Sequence, residues 1–310
     1  SRPRFERPLN FHCNWIVYPA HFAAGRLLLW GHSLLRFETA AFMLRLPSRG
    51  TAAITGASDG IGAAFARQLA NRGHSLILIA RRGNRLEQMR DELVRDFGIS
   101  VEVRRTDLSQ AEEVRGLAAT LAEHSDLDLL VNAAGFGTMG DFVDVQSVKH
   151  IDMIQVHVSA TVMLTHAVLP AMLQRAKGAI INVASMSAFL IGPGQTTYAA
   201  SKVFLKSFSE SLFEEVRENG VYVQALCPGF TRTGFHDTAE FEKFDRRRIS
   251  AGLWMTPEAV VEESLQALDR RRSAVCVPSL KNRWLVRAMR LEFVRRLAGK
   301  SVRKKSPVEV

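Results

Sequence analysis

Thr55-Gly56-Ala57-Ser58-Asp59-Gly60-Ile61-Gly62 follows the apolar run Ala52-Ala53-Ile54 and precedes the helical pattern Ala63-Ala64-Phe65-Ala66-Arg67-Gln68-Leu69. Strand, glycine turn and helix start in that order make a phosphate cradle. The glycines allow close backbone approach, and the helix N-terminus offers free N–H groups and a positive dipole end. Taken alone, such a stretch is also read as a plain tight strand-to-helix turn. The rest of the chain weighs on the choice. Apolar strand candidates recur at Ala52–Thr55, Ser75–Ala80, Val101–Thr106, Leu127–Asn132, Ala179–Ala184, Val221–Leu226 and Ala274–Val277. Helical patterns separate them at Ile61–Arg72, Arg85–Phe97, Gln110–Glu123, Lys149–Arg175, Tyr198–Glu218 and Pro257–Arg271. Ser109-Gln110-Ala111-Glu112 reads as a capping box and Thr256-Pro257 as an N-cap followed by proline at the first helical position. Strands apolar on both faces, alternating with helices, predict an α/β fold: a doubly wound, mostly parallel sheet with helices on both faces. Right-handed crossovers bring the strand C-termini to one edge, where ligands bind.

A second stretch carries chemistry. Thr197-Tyr198-Ala199-Ala200-Ser201-Lys202 places Tyr198 and Lys202 four residues apart, with Ser185 upstream in Asn182-Val183-Ala184-Ser185-Met186-Ser187. On one helix, Tyr198 and Lys202 share a face, one turn apart. A lysine cation beside a phenol is expected to pull its pKa down from about 10, making it a proton donor and acceptor near neutral pH. The bland reading is a half-buried tyrosine beside a solvated lysine.

The order of motifs favours chemistry. From about Thr51 to Pro278 the chain resembles the short-chain dehydrogenase/reductase superfamily, in particular its NADP(H)-preferring bacterial-type subset. The resemblance rests on the Thr55–Gly62 stretch, Asn132-Ala133-Ala134-Gly135, Ser185, Tyr198 to Lys202, and Pro228-Gly229-Phe230-Thr231-Arg232-Thr233. It implies an oxidoreductase moving a hydride between NADP(H) and an alcohol or carbonyl. Ser185 would hold the substrate oxygen, Tyr198 would exchange its proton, and Lys202 would bind the nicotinamide ribose. Gly56, Ser58, Asp59, Gly60, Ile61 and Gly62 would cradle the cofactor. Asp107 would meet the adenine, Asn132, Ala133 and Gly135 would line the nucleotide, Pro228, Gly229 and Thr231 would flank it, and Thr233 would hold the carboxamide. A rival reading is an NADP(H)-binding sensor or scaffold with little catalysis, and the intact Ser–Tyr–Lys set disfavours it.

The cofactor is read more finely at the end of the second strand, where Leu76-Ile77-Leu78-Ile79-Ala80 is followed by Arg81 and Arg82 rather than by an acid. A guanidinium grips a 2′-phosphate through a planar fork. NADP(H) is therefore expected, with Arg81 the first clamp and Arg82 the second. One departure from the family pattern is His157, in Gln155-Val156-His157-Val158, where the family commonly carries an asparagine that holds a relay water. Three readings stand side by side: a titrating replacement for the relay, a histidine satisfied in the core, or an impaired or non-catalytic binding protein.

The substrate is expected to be lipophilic. Phe230 to Met255 is long for a strand-to-helix connection and holds Phe235, His236, Phe241, Phe244 and Trp254; Phe189, Leu190 and Ile191 follow the serine. These aromatics either line a pocket or pack the loop down.

Composition agrees with one large α/β core: 310 residues and 47% hydrophobic content. Cys13, Cys227 and Cys276 show no metal or redox spacing, so no metal is expected and a cytoplasmic, reduced setting is read. The ends lie outside the motif-bearing core of residues 47–280. Residues 1–46 hold Trp15, Trp30 and Phe37 among short apolar blocks, none long enough to span a bilayer, with no clear cleavage pattern. They are read as an amphipathic arm, an interfacial anchor, or an extension upstream of a start at Met43. Residues 281–310 are basic and semi-apolar and carry much of the formal charge of +10; they suit an anionic membrane surface, a roof over the substrate pocket, or a dimer contact. No nucleic-acid module accompanies the charge. Homo-oligomers through the helices at 149–175 and 198–218 are what the resemblance implies.

Overall fold

The computed structural model describes residues 50–190, 192–242 and 244–289. The readings for residues 1–46, for Ile191 and for the chain beyond 289 lie outside these residues. Seven parallel strands form one sheet: β1 (Thr51–Thr55), β2 (Ser75–Ala80), β3 (Val101–Arg105), β4 (Leu127–Asn132), β5 (Gly178–Val183), β6 (Val221–Leu226) and β7 (Val275–Cys276). Their spatial order is β3-β2-β1-β4-β5-β6-β7. The chain builds outward from β1 in one direction, then returns to its other side at β4. The crevice beyond the C-terminal ends of β1 and β4 is therefore the topological switch point, where such sheets bind ligands.

Alternation along the strands feeds two cores. Ala52, Ile54, Leu76 and Leu78 pack with residues of α1 (Gly60–Asn71), α2 (Gly83–Phe97) and α7 (Pro257–Arg270). Ala53, Ile77, Ile79 and Leu130 pack with α3 (Ala111–Glu123), α5 (Ala160–Gln174) and α6 (Thr196–Val216) on the opposite face. Every residue of β1, β4, β5 and β6 is buried, as a sheet covered on both sides requires. The edge strand β3 exposes Arg104 and Arg105.

Local signals held in part. Thr256 caps α7, its Oγ1 accepting from the Ala259 N–H at 3.2 Å, with Pro257 in the first turn. The capping box at Ser109 does not form. α3 starts one residue later behind Gln110, which makes no side-chain cap. Ser109 instead donates its backbone N–H and its hydroxyl to Asp107 Oδ1 at 3.0 and 2.9 Å, while Glu112 pairs with Arg115. An acceptor two residues back competes for the serine and wins. The expected strand at Ala274–Val277 shortens to two residues.

The expected helix Lys149–Arg175 is broken in its middle. α4 (Ser147–Ile154) passes into a π-helical turn at Gln155–Ser159 before α5 begins, and the Ala160 N–H reaches back to the Gln155 carbonyl. Such a turn carries one extra residue and rotates the side chains beyond it. His157 lies inside it, buried to 1% exposure. By length and hydropathy the stretch Ser147–Gln174 would span a membrane, but α5 contributes Leu164, Val168 and Met172 to the core beneath the sheet.

Buried polar groups tie these layers together. Asn132 and Asn182 are register partners on β4 and β5. Asn132 Nδ2 donates to Asn182 Oδ1 at 2.9 Å, Asn182 Nδ2 to Ser209 Oγ at 3.0 Å, and Ser209 Oγ to the Leu205 carbonyl at 2.7 Å. Removing one member strands the others away from water. Asn182→Ala is expected to cost about 2–3 kcal/mol of stability, through unpaired amide and hydroxyl groups as well as the lost bonds. Urea denaturation followed by circular dichroism measures it; an unchanged midpoint would show that the network carries no stability.

Candidate active site

The glycine turn closes as its spacing predicts. Gly56 has φ +67° and Gly60 φ +54°, conformations that suit glycine. A Cβ on Gly62 would lie 2.3 Å from the Gly56 carbonyl oxygen, and one on Gly56 2.8 Å from Ala134 Cα. The turn thus packs directly on the Asn132–Gly135 segment, where Thr55 Oγ1 accepts the N–H groups of Ala133 and Ala134 at 3.0 and 3.1 Å. Asp59 caps α1 by accepting from the Gly60 N–H at 2.7 Å. The segment after β6 lies against the same turn: a Cβ on Gly60 would come within 2.9 Å of Thr233 Cγ2, and one on Gly234 within 2.6 Å of Asp59 Oδ2. The glycines serve this close approach as well as the cradle.

Of the two arginines after β2, Arg82 faces the turn. It donates to Ser58 Oγ from Nε at 3.2 Å and from Nη2 at 2.9 Å, and Nη2 lies 3.5 Å from Asp59 Oδ2. Arg85, which the local pattern did not single out, lies 3.8 Å from the same oxygen. Arg81, exposed like Arg82, makes none of these contacts. Asp107 follows β3, and its Oδ1 is engaged by Ser109. Pro228 and Gly229 brace the other side: the Pro228 carbonyl accepts from the Met186 N–H at 2.9 Å. Thr231 Oγ1 donates to the Gly229 carbonyl at 3.1 Å. A Cβ on Gly229 would meet the Asn282 side chain of α8 (Leu280–Met289) at 2.8 Å. Asn282 and Val286 of α8 are buried.

Ser185, Tyr198 and Lys202 converge at the C-terminal edge of β5. Ser185 follows that strand, close enough for its hydroxyl to act on the Tyr198 phenol, and it donates to Ser187 Oγ at 3.2 Å. Lys202 Nζ lies 5.6 Å from the centre of the Tyr198 ring and donates to the Val183 carbonyl at 2.8 Å. The electrostatics run against the expectation that the lysine depresses the phenol. Burial pushes Tyr198 above its ordinary value, with the Ser185 hydrogen bond opposing. Burial also brings Lys202 down to about 7. An ammonium that is itself costly to hold charged at this depth has little power to favour a phenolate.

His157 belongs to the same cluster. Its ring lies 5.9 Å from that of Tyr198, edge to face. Its Nε2 accepts from the Phe136 N–H at 3.1 Å, and its Nδ1 lies 2.8 Å from Ser201 Oγ. Ser201 stands inside the tyrosine motif with no role expected of it; its position three residues after the tyrosine, where a helical serine bonds back to the chain, was the available signal. Beyond β6, Phe235 packs on Tyr198 at 5.8 Å between ring centres and on Phe241 at 5.1 Å. His236 stacks on Phe244 at 4.8 Å, and Phe230 packs on Trp254 at 5.4 Å. Most of these aromatics pack one another, so the loop-packing reading holds for them; Phe235 is the one that reaches the tyrosine. Cys227 and Cys276 are buried thiols that burial pushes up to about 12.

The lysine has a consequence for stability. Its folded-state pKa of about 7 lies below the ordinary value of 10.5. Between those values the unfolded chain binds the proton and the folded chain does not, so this group makes stability rise with pH across that window. Below about pH 7 both states bind it and the contribution is flat. Lys202→Met is expected to remove that rise from the resting protein. Urea midpoints of the parent and variant from about pH 7 to about pH 10 check the sign; parallel curves would refute it.

Residues 50–243 match the short chain dehydrogenase family. A very-long-chain 3-oxoacyl-CoA reductase from Anas platyrhynchos is 31% identical over 239 residues, 76% of this chain and 74% of that protein. Among solved structures, a short-chain dehydrogenase from Sphingobium yanoikuyae in complex with NADPH superposes with a TM-score of 0.71 at 31% identity, covering 84% of this chain and 99% of that one. A short chain dehydrogenase/reductase from Burkholderia phymatum in complex with NAD gives a TM-score of 0.68 at 26% identity, covering 84% and 97%. With the Ser185, Tyr198 and Lys202 groups gathered at the edge of a Rossmann-type sheet, the chain belongs to the short-chain dehydrogenase family.

Proposed function

We propose that this protein is an NADP(H)-dependent alcohol dehydrogenase or carbonyl reductase acting on a lipophilic alcohol or ketone. The observation that carries the reading is the meeting of the Ser185 hydroxyl, the Tyr198 phenol and the Lys202 ammonium at one sheet edge. The residues at the switch point fit a dinucleotide: a glycine turn that tolerates no Cβ at Gly56 or Gly62, a helix N-terminus behind it, and a guanidinium on Ser58. Arg82, with Arg81 and Arg85 nearby, is suited to a 2′-phosphate, and the NADPH complex of the Sphingobium yanoikuyae relative supports that choice. When bound, the nicotinamide nucleotide supplies or accepts the hydride.

The chain's own residues do the rest. Ser185 and Tyr198 hydrogen-bond the substrate oxygen and orient its carbon. Tyr198 passes its proton to that oxygen in reduction and recovers it in oxidation. A phenol held above its ordinary pKa is protonated at neutral pH, which favours reduction of a carbonyl. Lys202 would bind the ribose hydroxyls. Phe235 against Tyr198 and the apolar Phe189 and Leu190 beyond Ser185 support a lipophilic substrate, as does the acyl chemistry in the name of the Anas platyrhynchos relative. A second copy of the chain suits the exposed stripe Val148, Ile151 and Ile154 on α4 together with Val203 and Phe204 on α6.

Tyr198→Phe is expected to lower turnover of a ketone panel about 1,000-fold while NADPH affinity stays within about 3-fold of the parent. Stopped-assay rates and fluorescence titration measure the two; turnover kept near the parent's would remove the mechanism. Arg82→Asp is expected to raise the KM for NADPH about 10-fold or more and leave that for NADH little changed. An unaltered preference would move the phosphate contact elsewhere.

A further inference from the structure

We propose that His157 is a positioning residue for Tyr198: a neutral imidazole, protonated on Nδ1, that joins the loop after β4 to α6 through Ser201. The proposal rests on the reading of Tyr198 as the proton-exchanging group.

Hydrogen-bond directions dictate the tautomer. The Phe136 N–H can only donate, so His157 Nε2, 3.1 Å away, must carry a lone pair. The Tyr198 carbonyl can only accept, so Ser201 Oγ, 2.7 Å from it, must spend its single proton there. The other bond to Ser201, 2.8 Å long, therefore takes its proton from His157 Nδ1. Each polar atom has one role, and none is left over to pass a proton onward. A second proton on the ring would have to sit on Nε2 and point at the Phe136 N–H. The surroundings agree: burial and the Lys202 charge both hold the imidazole well below its ordinary pKa. Lys202 and Tyr198, both on α6, are the ionisable groups that face it.

The geometry explains why a ring stands where an asparagine is expected. A Cβ on Gly135 would lie 2.8 Å from His157 Nε2, so the imidazole reaches across to the backbone of the Asn132–Gly135 segment. The π turn at Gln155–Ser159 carries the side chain inward to that point. From there, one ring spans the distance between the segment that flanks the nucleotide and the helix that bears the tyrosine. It also packs edge-on against the phenol itself. The tyrosine is thereby held from two sides, through its backbone carbonyl and through its ring.

Two measurements test this. Nitrogen-15 NMR of the parent, with the His157 signals assigned by their loss in His157→Asn, is expected to show one Nδ1–H tautomer that does not titrate between about pH 5.5 and about pH 9. An Nε2–H tautomer, or a titration inside that range, would overturn the proposal, and neither outcome depends on finding a substrate. In turnover, Ser201→Ala and His157→Phe are each expected to lower kcat about 10-fold with the KM for NADPH within about 2-fold, and the double variant to be no worse than the weaker single. His157→Gln, which can still donate and accept, is expected to recover part of the loss. Independent losses that multiply in the double variant, or a fall in melting temperature with kcat unchanged, would leave His157 as ordinary core packing. Failure of the Tyr198→Phe test would remove the catalytic reading, while the tautomer would still report on the strut itself.

Discussion

The side-by-side pairing of Asn132 and Asn182 on β4 and β5 is the constraint on which the arrangement depends. Two amides in register, at the centre of a sheet with no solvent on either face, must satisfy one another and then find further partners. They find them in Ser209 on α6, with the Asn132 amide also 3.4 Å from Thr165 Oγ1 on α5. That fixes the rotation of α6 about its axis. Seven residues before Ser209, on the same face of the helix, Lys202 is turned into the protein, where it meets the Val183 carbonyl at the end of β5. Tyr198, one turn earlier, then comes to the sheet edge beside Ser185. The register of β4 and β5, through Ser209, thereby helps set Tyr198 and Lys202 of α6 beside Ser185, which follows β5.

Placing those groups there has an electrostatic cost. Depth raises the phenol and lowers the ammonium, so each is held nearer its neutral form than in water. A neutral phenol can donate its proton. The surrounding rings also matter. His157 and Phe235 bracket Tyr198 at 5.9 and 5.8 Å between centres, one from the turn at Gln155–Ser159 and one from the loop after β6. The loop that supplies Phe235 is itself a packed aromatic cluster, pressed into the space that Gly137 leaves: a Cβ there would lie 2.7 Å from Phe235 Cζ.

A second part of the molecule is remote from this chemistry. A cleft of about 700 Å³ opens at the N-terminal ends of β6 and β7, lined among others by Glu214, Arg217, Tyr222 and Arg271. It lies at the opposite edge of the sheet from Ser185, and its mixed charge offers no single ligand chemistry. The Arg271 side chain there is engaged with the chain itself, donating to the Gly220 carbonyl at 3.1 Å. All seven strands point their C-termini toward the other edge, bringing the turns after β1, β2, β4, β5 and β6 together there.

Strand and helix identities, and hence the doubly wound sheet, were legible in the amino-acid sequence, since each rests on local periodicity: Leu127–Asn132 and Val221–Leu226 agree residue for residue. The glycine turn and the Ser185, Tyr198 and Lys202 set were legible too, because their spacing in the chain reflects one backbone path. What local pattern did not carry were properties that depend on neighbours distant along the chain. The π turn at Gln155–Ser159, the turning of Arg82 rather than Arg81 toward Ser58, the Ser201 link and the direction of the Tyr198 shift all fall in this group. Each is settled by what stands across a few ångströms of space: a carbonyl that needs a donor, a hydroxyl within reach of a guanidinium, or protein in place of water around a charge. Periodicity records which face of an element is buried; only packing decides which groups meet there and at what electrostatic cost.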